Sequence, residues 1–502
     1  MHDSSSSSAT TASSASPASS ASPTGPTGTP LAPGASVAAR RDLAVRAAVE
    51  QGLVTGDREP IAALLDVRAI REAAGALRAA FDAVSGPGQD VLHTFAVKAA
   101  SLVPVLRLLA DEGIGCEVAS PGELALARAA GVPAAATVLD SPAKTPGELR
   151  EALLLGIALN ADNRSELARL DELVRPGDPA TPPLGLRVNP QIGGGSIDAM
   201  STATATSKFG VALADPGARE EVVRAYRDRP WLTRLHSHVG SQGMPLELMA
   251  EGARATYELA EEINAAAGRR QVDTLDLGGG LPVNFGSDAI TPTFEQYARL
   301  LAETVPGLFD GSYGLVTEFG RSLLAKAGTI LARVEYAKSA GGRSIAVTHA
   351  GAQIAVRTVF TPDAWPLRVA AYDAKGGSKG GADGTGGTGG TGAGGEAGTG
   401  EASGAGLVEQ DIAGPCCFAG DLVARGRLMP RLDEGDYAAL LDTGAYYFSN
   451  PFGYNSLPRP GVYGFTVTDG GEVRFVTVRD PQTLAEIVGD SGGAHRDALR
   501  ER

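Results

Sequence analysis

Residues 115–160 read GCEVASPGELALARAAGVPAAATVLDSPAKTPGELREALLLGIALN, and this stretch decides the fold. Short apolar runs of strand character alternate in it with longer segments of helical period. Alternation of this kind predicts βα units that build a parallel sheet. The predicted strands are Gly115–Val118, Ala136–Leu139 and Ile157–Asn160, and the predicted helices are Gly122–Ala130 and Pro146–Leu155.

The same alternation extends in both directions from this stretch. Eight strand–helix units over roughly 250 residues match the count and length of a (β/α)8 barrel. A doubly wound sheet is the alternative, and eight successive units disfavour it. The other predicted strands are Leu92–Val97, Leu184–Val188, Arg234–Val239, Thr274–Leu277 and Gly314–Thr317, and further predicted helices are Arg164–Val174 and Leu246–Ala267.

The pattern predicts three parts of the chain around this barrel. Residues 1–38 are Ser, Ala, Thr, Pro and Gly with almost no large apolar side chains, which predicts disorder. Residues 39–343 form the barrel with an N-terminal extension. Residues 344–490 form a mostly-β domain, because Ser344–Thr348, Tyr437–Asp442 and Val473–Val478 are strand patterns without long helices between them. A Gly-rich insertion at 374–406, also predicted to be disordered, interrupts this domain.

Composition excludes some classes of function. The 502 residues carry a formal net charge of −14, which argues against nucleic-acid binding. Three cysteines, Cys116, Cys416 and Cys417, cannot make a disulfide framework and have no zinc-ligand spacing, so a reduced cytoplasmic setting is expected. We find no signal peptide pattern and no apolar run long enough to span a membrane, so no membrane partner is expected.

Polar residues follow the predicted strands, and in a (β/α)8 barrel the carboxyl ends of the strands form one mouth. Lys98 follows one strand, Glu117 ends the next, and Gly278–Gly279–Gly280 follows the seventh. A lysine beside a glycine-rich phosphate site and an inward Glu is what Schiff-base chemistry requires. Taken alone, the lysine is an ordinary salt-bridge residue and the glycines a tight turn. Other polar residues at strand ends are Asn160, Arg187, Asn189, His236, His238, Ser241, Gln242, Glu318, Gly320 and Arg321.

His238 lies in His236-Ser237-His238-Val239-Gly240-Ser241-Gln242, beside hydroxyl and glycine donors. A lone histidine is usually a core residue, but these neighbours favour a role facing a cofactor. Since His236 and His238 alternate on a strand, only one of them can readily face the mouth, and no metal site is predicted.

These motifs resemble the fold-type-III pyridoxal-phosphate (PLP) decarboxylases, the family of diaminopimelate, ornithine and arginine decarboxylases. The resemblance covers roughly residues 60 to 465 outside the Gly-rich tract and is closest to the diaminopimelate branch. It implies an alanine-racemase-like barrel, a C-terminal β-barrel domain, PLP as cofactor and a homodimer with shared active sites. The matching motifs, in order, are FAVKA (95–99), EVASPGEL (117–124), SKFG (207–210), HSHVGSQ (236–242), DLGGG (276–280), EFGR (318–321), GPCC (414–417) with Asp421, and GAY (444–446).

The resemblance also implies a role for each matching residue. Lys98 carries PLP as a Schiff base, His238 stacks on its ring, and Glu318 pairs with its ring nitrogen. Cys417 protonates the carbanion left by decarboxylation, in the neighbouring subunit's site. The residues implied to bind the cofactor further are Ser241, Gly279, Gly280, Gly320, Arg321 and Tyr446, and those implied to bind the amino-acid substrate are Arg321, Arg357, Phe418 and Tyr446.

The chain departs from the family at the substrate end. Phe418 stands where the diaminopimelate branch has Glu and the ornithine branch has Asp, both of which contact the far amine of the substrate. Thr361 stands where an aromatic hydroxyl is expected, four residues after Arg357. Residues 191–206 also differ from the expected short loop. The reaction class is therefore predicted more firmly than the substrate.

Two alternatives remain open at this point. A PLP-dependent racemase or epimerase would share both domains, but such enzymes place Arg at the ring nitrogen, where this chain has Glu318. A catalytically silent regulatory homologue would lack some of Lys98, Glu318 and Cys417, and all three are present.

Overall fold

The computed structural model describes residues 35–175, 177–380 and 406–500. Both tracts predicted to be disordered, 1–38 and 374–406, therefore fall mostly outside the described residues. Their inner ends are described: helix α1 spans Val37–Glu50, and Lys379 forms an ion pair with Asp436 at 2.6 Å. In these described ranges no helix is both long and apolar enough to cross a lipid bilayer.

After α1, the chain forms strand β1 (Ile61–Asp66) and helix α2 (Val67–Asp82) and then enters a closed barrel of eight parallel strands. The barrel is closed because every strand in it has a neighbour on both sides. Strand β2 pairs with β3 and with β10, and β5 pairs with β6, which joins the two ends of the strand order. The predicted (β/α)8 barrel is confirmed, and the doubly wound sheet is excluded. The barrel strands are β2 (Val91–Ala96), β3 (Gly115–Val118), β4 (Thr137–Asp140), β5 (Ala158–Ala161), β6 (Leu184–Asn189), β8 (Leu232–His236), β9 (Thr274–Asp276) and β10 (Gly314–Phe319); the two-residue β7 (Val211–Ala212) pairs with β6 alone.

Helices between the strands form the outer layer, and local capping fixes where several of them begin and end. In α5, Thr145 and Glu148 form a capping box around Pro146, and Gly156 ends the helix in the left-handed region with a φ of 72°. The helices of this layer are α3 (Val103–Asp111), α4 (Pro121–Ala129), α5 (Pro146–Leu155), α6 (Arg164–Leu173), α7 (Ala218–Asp228), α8 (Leu246–Ala267), α9 (Phe294–Thr304) and α10 (Arg321–Leu324).

A second, mixed sheet of nine strands follows the barrel. Its order is β15-β14-β12-β11-β1-β17-β18, with β16 pairing both β11 and β13. This sheet confirms the predicted mostly-β part. Its strands after β1 are β11 (Gly328–Ala340), β12 (Arg343–Thr348), β13 (Val369–Tyr372), β14 (Leu407–Ala413), β15 (Leu422–Pro430), β16 (Tyr437–Leu441), β17 (Gly461–Val467) and β18 (Val473–Arg479), and helices α11 (Ala352–Phe360) and α12 (Leu484–Asp490) accompany them.

Strand pairing corrects the boundary at residue 343. Strand β1 precedes the barrel in sequence, but it pairs with β11 and β17 of the second sheet. Strand β11 begins at Gly328, fifteen residues before the predicted boundary. The physical reason is burial: all six residues of β1 are buried, and Ala62 and Leu64 pack with Ala44 of α1 on that sheet. Helix α1 and strand β1 of the N-terminal extension therefore complete the β sheet, whereas helix α2 packs against α9 and α3 in the outer layer of the barrel.

Candidate active site

A cavity of about 370 Å³ opens at the carboxyl ends of the barrel strands. Its lining combines side chains from widely separated parts of the sequence, as expected for the mouth of this architecture. The predicted site residues that line it are Lys98, His238, Ser241, Gly280, Glu318, Gly320, Arg321, Arg357 and Tyr446.

Lys98 follows β2 and forms an ion pair with Glu117, whose side chain is 1 % exposed. Burial acts to lower the pKa of Lys98, but the nearby Glu117, Tyr446 and Glu318 outweigh it, so the pKa lies above its ordinary value. Burial raises the pKa of Glu117 itself. A lysine must lose a proton to act as a nucleophile, and Glu117 is placed to accept it.

The glycine triplet follows β9 and brings the backbone close to the mouth, where Gly280 lines the cavity. Gly280 has a φ of 104°, and a Cβ there would collide with the carbonyl oxygen of Gly240. Gly279 N donates to His238 Nδ1 at 3.0 Å, so a neutral His238 carries its proton on Nε2. The glycines therefore serve close backbone approach, and they also fix the tautomer of the histidine.

His238 is held neutral by its surroundings. Burial, with the positive charges of Arg187 and Lys98, lowers the pKa of His238 to about 3. We expect an NMR titration to show no protonation of His238 between roughly pH 5 and pH 9, with the signal assigned by its loss in His238→Asn. Because the unfolded chain takes up this proton near pH 6.5, the residue destabilises the fold as the pH falls below about 6.5. A folded-state midpoint near 6.5 would contradict this description.

Glu318 ends β10 at the inner wall of the cavity and is 5 % exposed. Its Oε1 accepts no hydrogen bond from the described part of the chain. Burial and the neighbouring Asp276 raise its pKa well above the ordinary value. Buried polar atoms usually have a hydrogen-bond partner, so this oxygen can accept a hydrogen bond from a ligand bound in the cavity.

Two arginines close another side of the cavity. The guanidinium carbon of Arg321 lies 4.6 Å from the ring centroid of Trp365 and 4.5 Å from that of Tyr446, and Arg357 lies 5.1 Å and 4.9 Å from the same rings. Burial and the charge of Arg357 lower the pKa of Arg321 to about 10 against the opposing effect of Tyr446. Nε and Nη1 of Arg321 and Nη1 of Arg357 have no partner within the described ranges. The pair is therefore ready to receive an anion.

Cys417 and Phe418 lie outside the lining of this cavity. Cys417 is exposed, and its backbone N–H donates to Asn455 Oδ1 at 2.8 Å. The ring of Phe418 stacks on Phe360 with centroids 5.5 Å apart and meets Tyr454 edge-on at 5.4 Å. Within one chain, these two predicted site residues are thus separated from the nine that line the cavity. Gly279, the remaining predicted residue, is not in the lining but contacts it through its hydrogen bond to His238.

Sequence reasoning passed over one charged residue of the cavity lining. Asp140 lines it at the end of β4 and accepts from Arg187 Nη1 at 3.0 Å. The predicted strand stopped at Leu139, one residue short, so the carboxylate was not counted among the strand ends. Residues of the unusual segment 191–206 also take part, since Met200 and Thr202 join the lining.

The sequence predicts no metal site, and one cluster of buried side chains in the structure is relevant to that prediction. Ligand atoms of Asp140, His236 and Glu318 lie within 4.8 Å of one another. The two ring nitrogens of His236 face carboxylates, however, with Nε2 3.1 Å from Asp140 and Nδ1 3.3 Å from Asp276. The absence of a metal site stays a prediction.

These groups fit pyridoxal phosphate. Lys98 can bind an aldehyde, the unpaired Glu318 oxygen can meet the ring nitrogen, and the glycine turn with Arg321 can hold the phosphate. His238 lies against the same space with a flat, neutral imidazole.

Comparison with known proteins agrees with this fit. Residues 68–325 match the family described as "Pyridoxal-dependent decarboxylase, pyridoxal binding domain". The diaminopimelate decarboxylase of Pseudomonas aeruginosa is 31 % identical over 413 residues, covering 82 % of this chain and 88 % of that protein. The diaminopimelate decarboxylase of Zymomonas mobilis is 29 % identical over 377 residues, covering 74 % of this chain and 80 % of that protein.

Solved structures show the same fold. The crystal structure of diaminopimelate decarboxylase from Helicobacter pylori complexed with L-lysine superposes with a TM-score of 0.69 at 22 % identity, covering 87 % of this chain and 98 % of that chain. Lysine/ornithine decarboxylase from Vibrio vulnificus complexed with putrescine gives a TM-score of 0.64 at 22 % identity, covering 85 % of this chain and 98 % of that chain.

Proposed function

The chain belongs to the family of pyridoxal-dependent decarboxylases, near the diaminopimelate decarboxylase branch, and from this premise we propose how its residues remove a carboxyl group from an amino acid. It is a carboxy-lyase with pyridoxal phosphate as cofactor and an amino acid as substrate. The assignment of steps to Lys98, His238, Glu318 and Cys417 is our proposal.

The bound cofactor supplies an electron sink for the pair of electrons left at the α-carbon when carbon dioxide departs. Lys98 Nζ would attach the cofactor covalently, and Glu117 would take up the proton that Lys98 loses. His238 would contact the cofactor ring, and Glu318 would stabilise a proton on the ring nitrogen through a charge-assisted hydrogen bond. The observation that carries the proposal is the unpaired oxygen of Glu318, which faces the same cavity as Lys98.

The reaction class is tested by measuring carbon dioxide release from a panel of amino acids and diamino acids with purified protein. We expect release from at least one α-amino acid, dependent on added pyridoxal phosphate. The control is the interconversion of L- and D-enantiomers in the same samples. Interconversion without carbon dioxide would refute the proposal in favour of a racemase.

Glu318→Gln tests the pairing at the ring nitrogen. Glutamine keeps the size of the side chain but removes the charge that stabilises the ring proton, so we expect pyridoxal phosphate to bind and turnover to fall by about 10² or more. Cofactor content by absorbance and kcat on the best substrate are the two measurements. Unchanged kcat would mean that another group holds the ring nitrogen.

We propose further that Cys417 returns the proton to the α-carbon in the active site of a second subunit. Two features support this: Cys417 is exposed and lies outside the cavity lining of its own chain, and the neighbouring Phe360 is 56 % exposed. A homodimer with two shared sites would cover both.

Complementation between two inactive variants tests the shared site. Lys98→Ala and Cys417→Ala are each expected to be strongly impaired, and their mixture after subunit exchange should regain about a quarter of wild-type activity. Half of the dimers are then mixed, and one of their two sites has both residues. The control is each variant taken alone through the same exchange. No recovery in mixtures that contain mixed dimers by mass spectrometry would exclude the shared site.

A further inference from the structure

A row of alternating charges crosses the barrel beside Glu318. Arg187 Nη1 lies 3.0 Å from Asp140 Oδ2, which lies 3.1 Å from His236 Nε2. On the other side of the imidazole, His236 Nδ1 lies 3.3 Å from Asp276 Oδ1. The row joins the ends of strands β6, β4, β8 and β9, and each of its four side chains is at most 7 % exposed.

The row is fixed at both ends. Asp276 accepts from Asn160 Nδ2 and from the backbone N–H of Gly278, both at 3.1 Å. At the other end, the guanidinium carbon of Arg187 lies 4.4 Å from the ring centroid of Phe209. His236 therefore has little freedom to turn away from the two carboxylates.

This setting makes His236 a cation. Burial opposes its charge, but Asp140, Asp276 and Glu318 raise its pKa well above the ordinary value. The ligand atoms of His236, Asp140 and Glu318 lie within 4.8 Å of one another, so the cation acts on Glu318 at short range.

Buried acids and buried cations surround this row. Removing the charge of His236 alone would remove the cation that lies between two buried carboxylates, which favours uptake of a proton by a neighbouring acid. Glu318 is the acid whose oxygen is unpaired and whose pKa is raised. The carboxylates around the row are Asp140, Asp276, Glu318, Glu117 and Asp162, and the cations are Arg187, His236, Arg234, Lys98 and Lys144, the last of which is itself paired with Glu166.

We propose that His236 is a positioning residue that acts through Glu318: its fixed positive charge opposes protonation of Glu318 and so favours placing the proton that Glu318 and the cofactor share on the ring nitrogen. The position of His236 decides whether its charge acts more strongly on Glu318 or on the ring nitrogen. His236 is absent from the cavity lining and Glu318 belongs to it, so the imidazolium lies closer to the carboxylate than to a ring in the cavity. It therefore lowers the proton affinity of Glu318 more than that of the ring nitrogen. The inference rests on the proposed pairing of Glu318 with that nitrogen.

The test uses holoenzyme loaded with pyridoxal phosphate that carries ¹⁵N in the ring, whose chemical shift reports protonation. At pH 7 we expect a protonated ring nitrogen in the wild type and an unprotonated one in His236→Asn, with cofactor binding weakened about tenfold. His236→Asn/Asp140→Asn removes one charge of each sign and should restore the protonated signal, which a loss of packing alone would not do.

His93→Asn is the matched control. His93 is a buried barrel histidine that is 5 % exposed, and its Nδ1 meets Thr317 Oγ1 at 2.8 Å instead of a carboxylate. We expect the ¹⁵N signal of the cofactor ring in His93→Asn to match that of the wild type. A protonated ring in His236→Asn overturns the role of His236 and leaves the Glu318 pairing intact, whereas an unprotonated ring in the wild type overturns the pairing as well.

A second measurement uses only the wild-type protein and so does not depend on the folding of a variant. With ¹⁵N-histidine in the wild-type holoenzyme, we expect both ring nitrogens of His236 to be protonated at neutral pH. A neutral imidazole there would overturn the proposal.

Discussion

Lys98→Ala is expected to abolish turnover, with a loss of roughly 10³-fold or more, and to remove the covalent link to pyridoxal phosphate. Alanine lacks the amine that attacks the aldehyde, and Glu117 then loses the cation with which it is paired. The change removes both the attachment point and a proton carrier. The measurements are kcat with saturating cofactor and the site of the label after borohydride reduction.

Lys208→Ala is the matched control, because Lys208 is the other lysine that lines the cavity. Its Nζ lies 5.0 Å from the ring centroid of Phe209 and has no acid in salt-bridge range among the described residues. We expect the borohydride label to remain on Lys98 in this variant. A label on Lys208 in the Lys98→Ala protein, with turnover retained, would contradict the assignment.

The barrel could be predicted because its strands and helices are encoded locally. Helices Pro146–Leu155 and Leu246–Ala267 have the predicted bounds, since glycines at 156 and 268 adopt the left-handed conformation that ends them. The strand predicted at Arg234–Val239 ends three residues early, at His236. Ser237 N still donates to Asp276 O at 3.0 Å, but the chain then turns so that His238 meets the glycine loop. Strand propensity continues through Val239, and tertiary contacts override it.

Two features could not be predicted in the same way: the sheet that strand β1 joins, and the row of charges formed by Arg187, Asp140, His236 and Asp276. The apolar run of β1 indicates a buried strand, but nothing in residues 61–66 tells which sheet it joins. Asp140, His236 and Asp276 come from strands far apart in sequence, and each alone resembles an ordinary strand-end residue. The nine predicted site residues that line the cavity were found from the motifs and the resemblance. His236 and Asp276 open two of these motifs, but the motifs do not show that Asp140 lies between His236 and Arg187.

Phe418→Glu is expected to shift substrate preference toward meso-diaminopimelate. The acids in the cavity lining are Glu117, Asp140 and Glu318, and all three belong to the cofactor end. The first two are paired with Lys98 and Arg187. In the shared site of the proposed homodimer, Phe418 would enter beside Cys417 of the second subunit. A distal ammonium there would meet no unpaired acid from these residues, which costs several kcal/mol unless another acid or a cation–π contact compensates.

The wild type should prefer a substrate whose far end is apolar, acylated or carrier-linked, with Arg357 available for an anion there. Stacking between Phe418 and Phe360 contributes about 0.5–1.5 kcal/mol, so the substitution also loosens the loop. Phe418→Gln controls for this loss, since it breaks the same stack without adding a charge. We expect kcat/KM for meso-diaminopimelate, relative to analogues with a blocked distal amine, to rise by about 10²-fold or more in Phe418→Glu and to stay low in Phe418→Gln. Wild-type kcat/KM on meso-diaminopimelate of roughly 10⁴ M⁻¹s⁻¹ or above would contradict this, because the phenyl ring would then not exclude the distal ammonium.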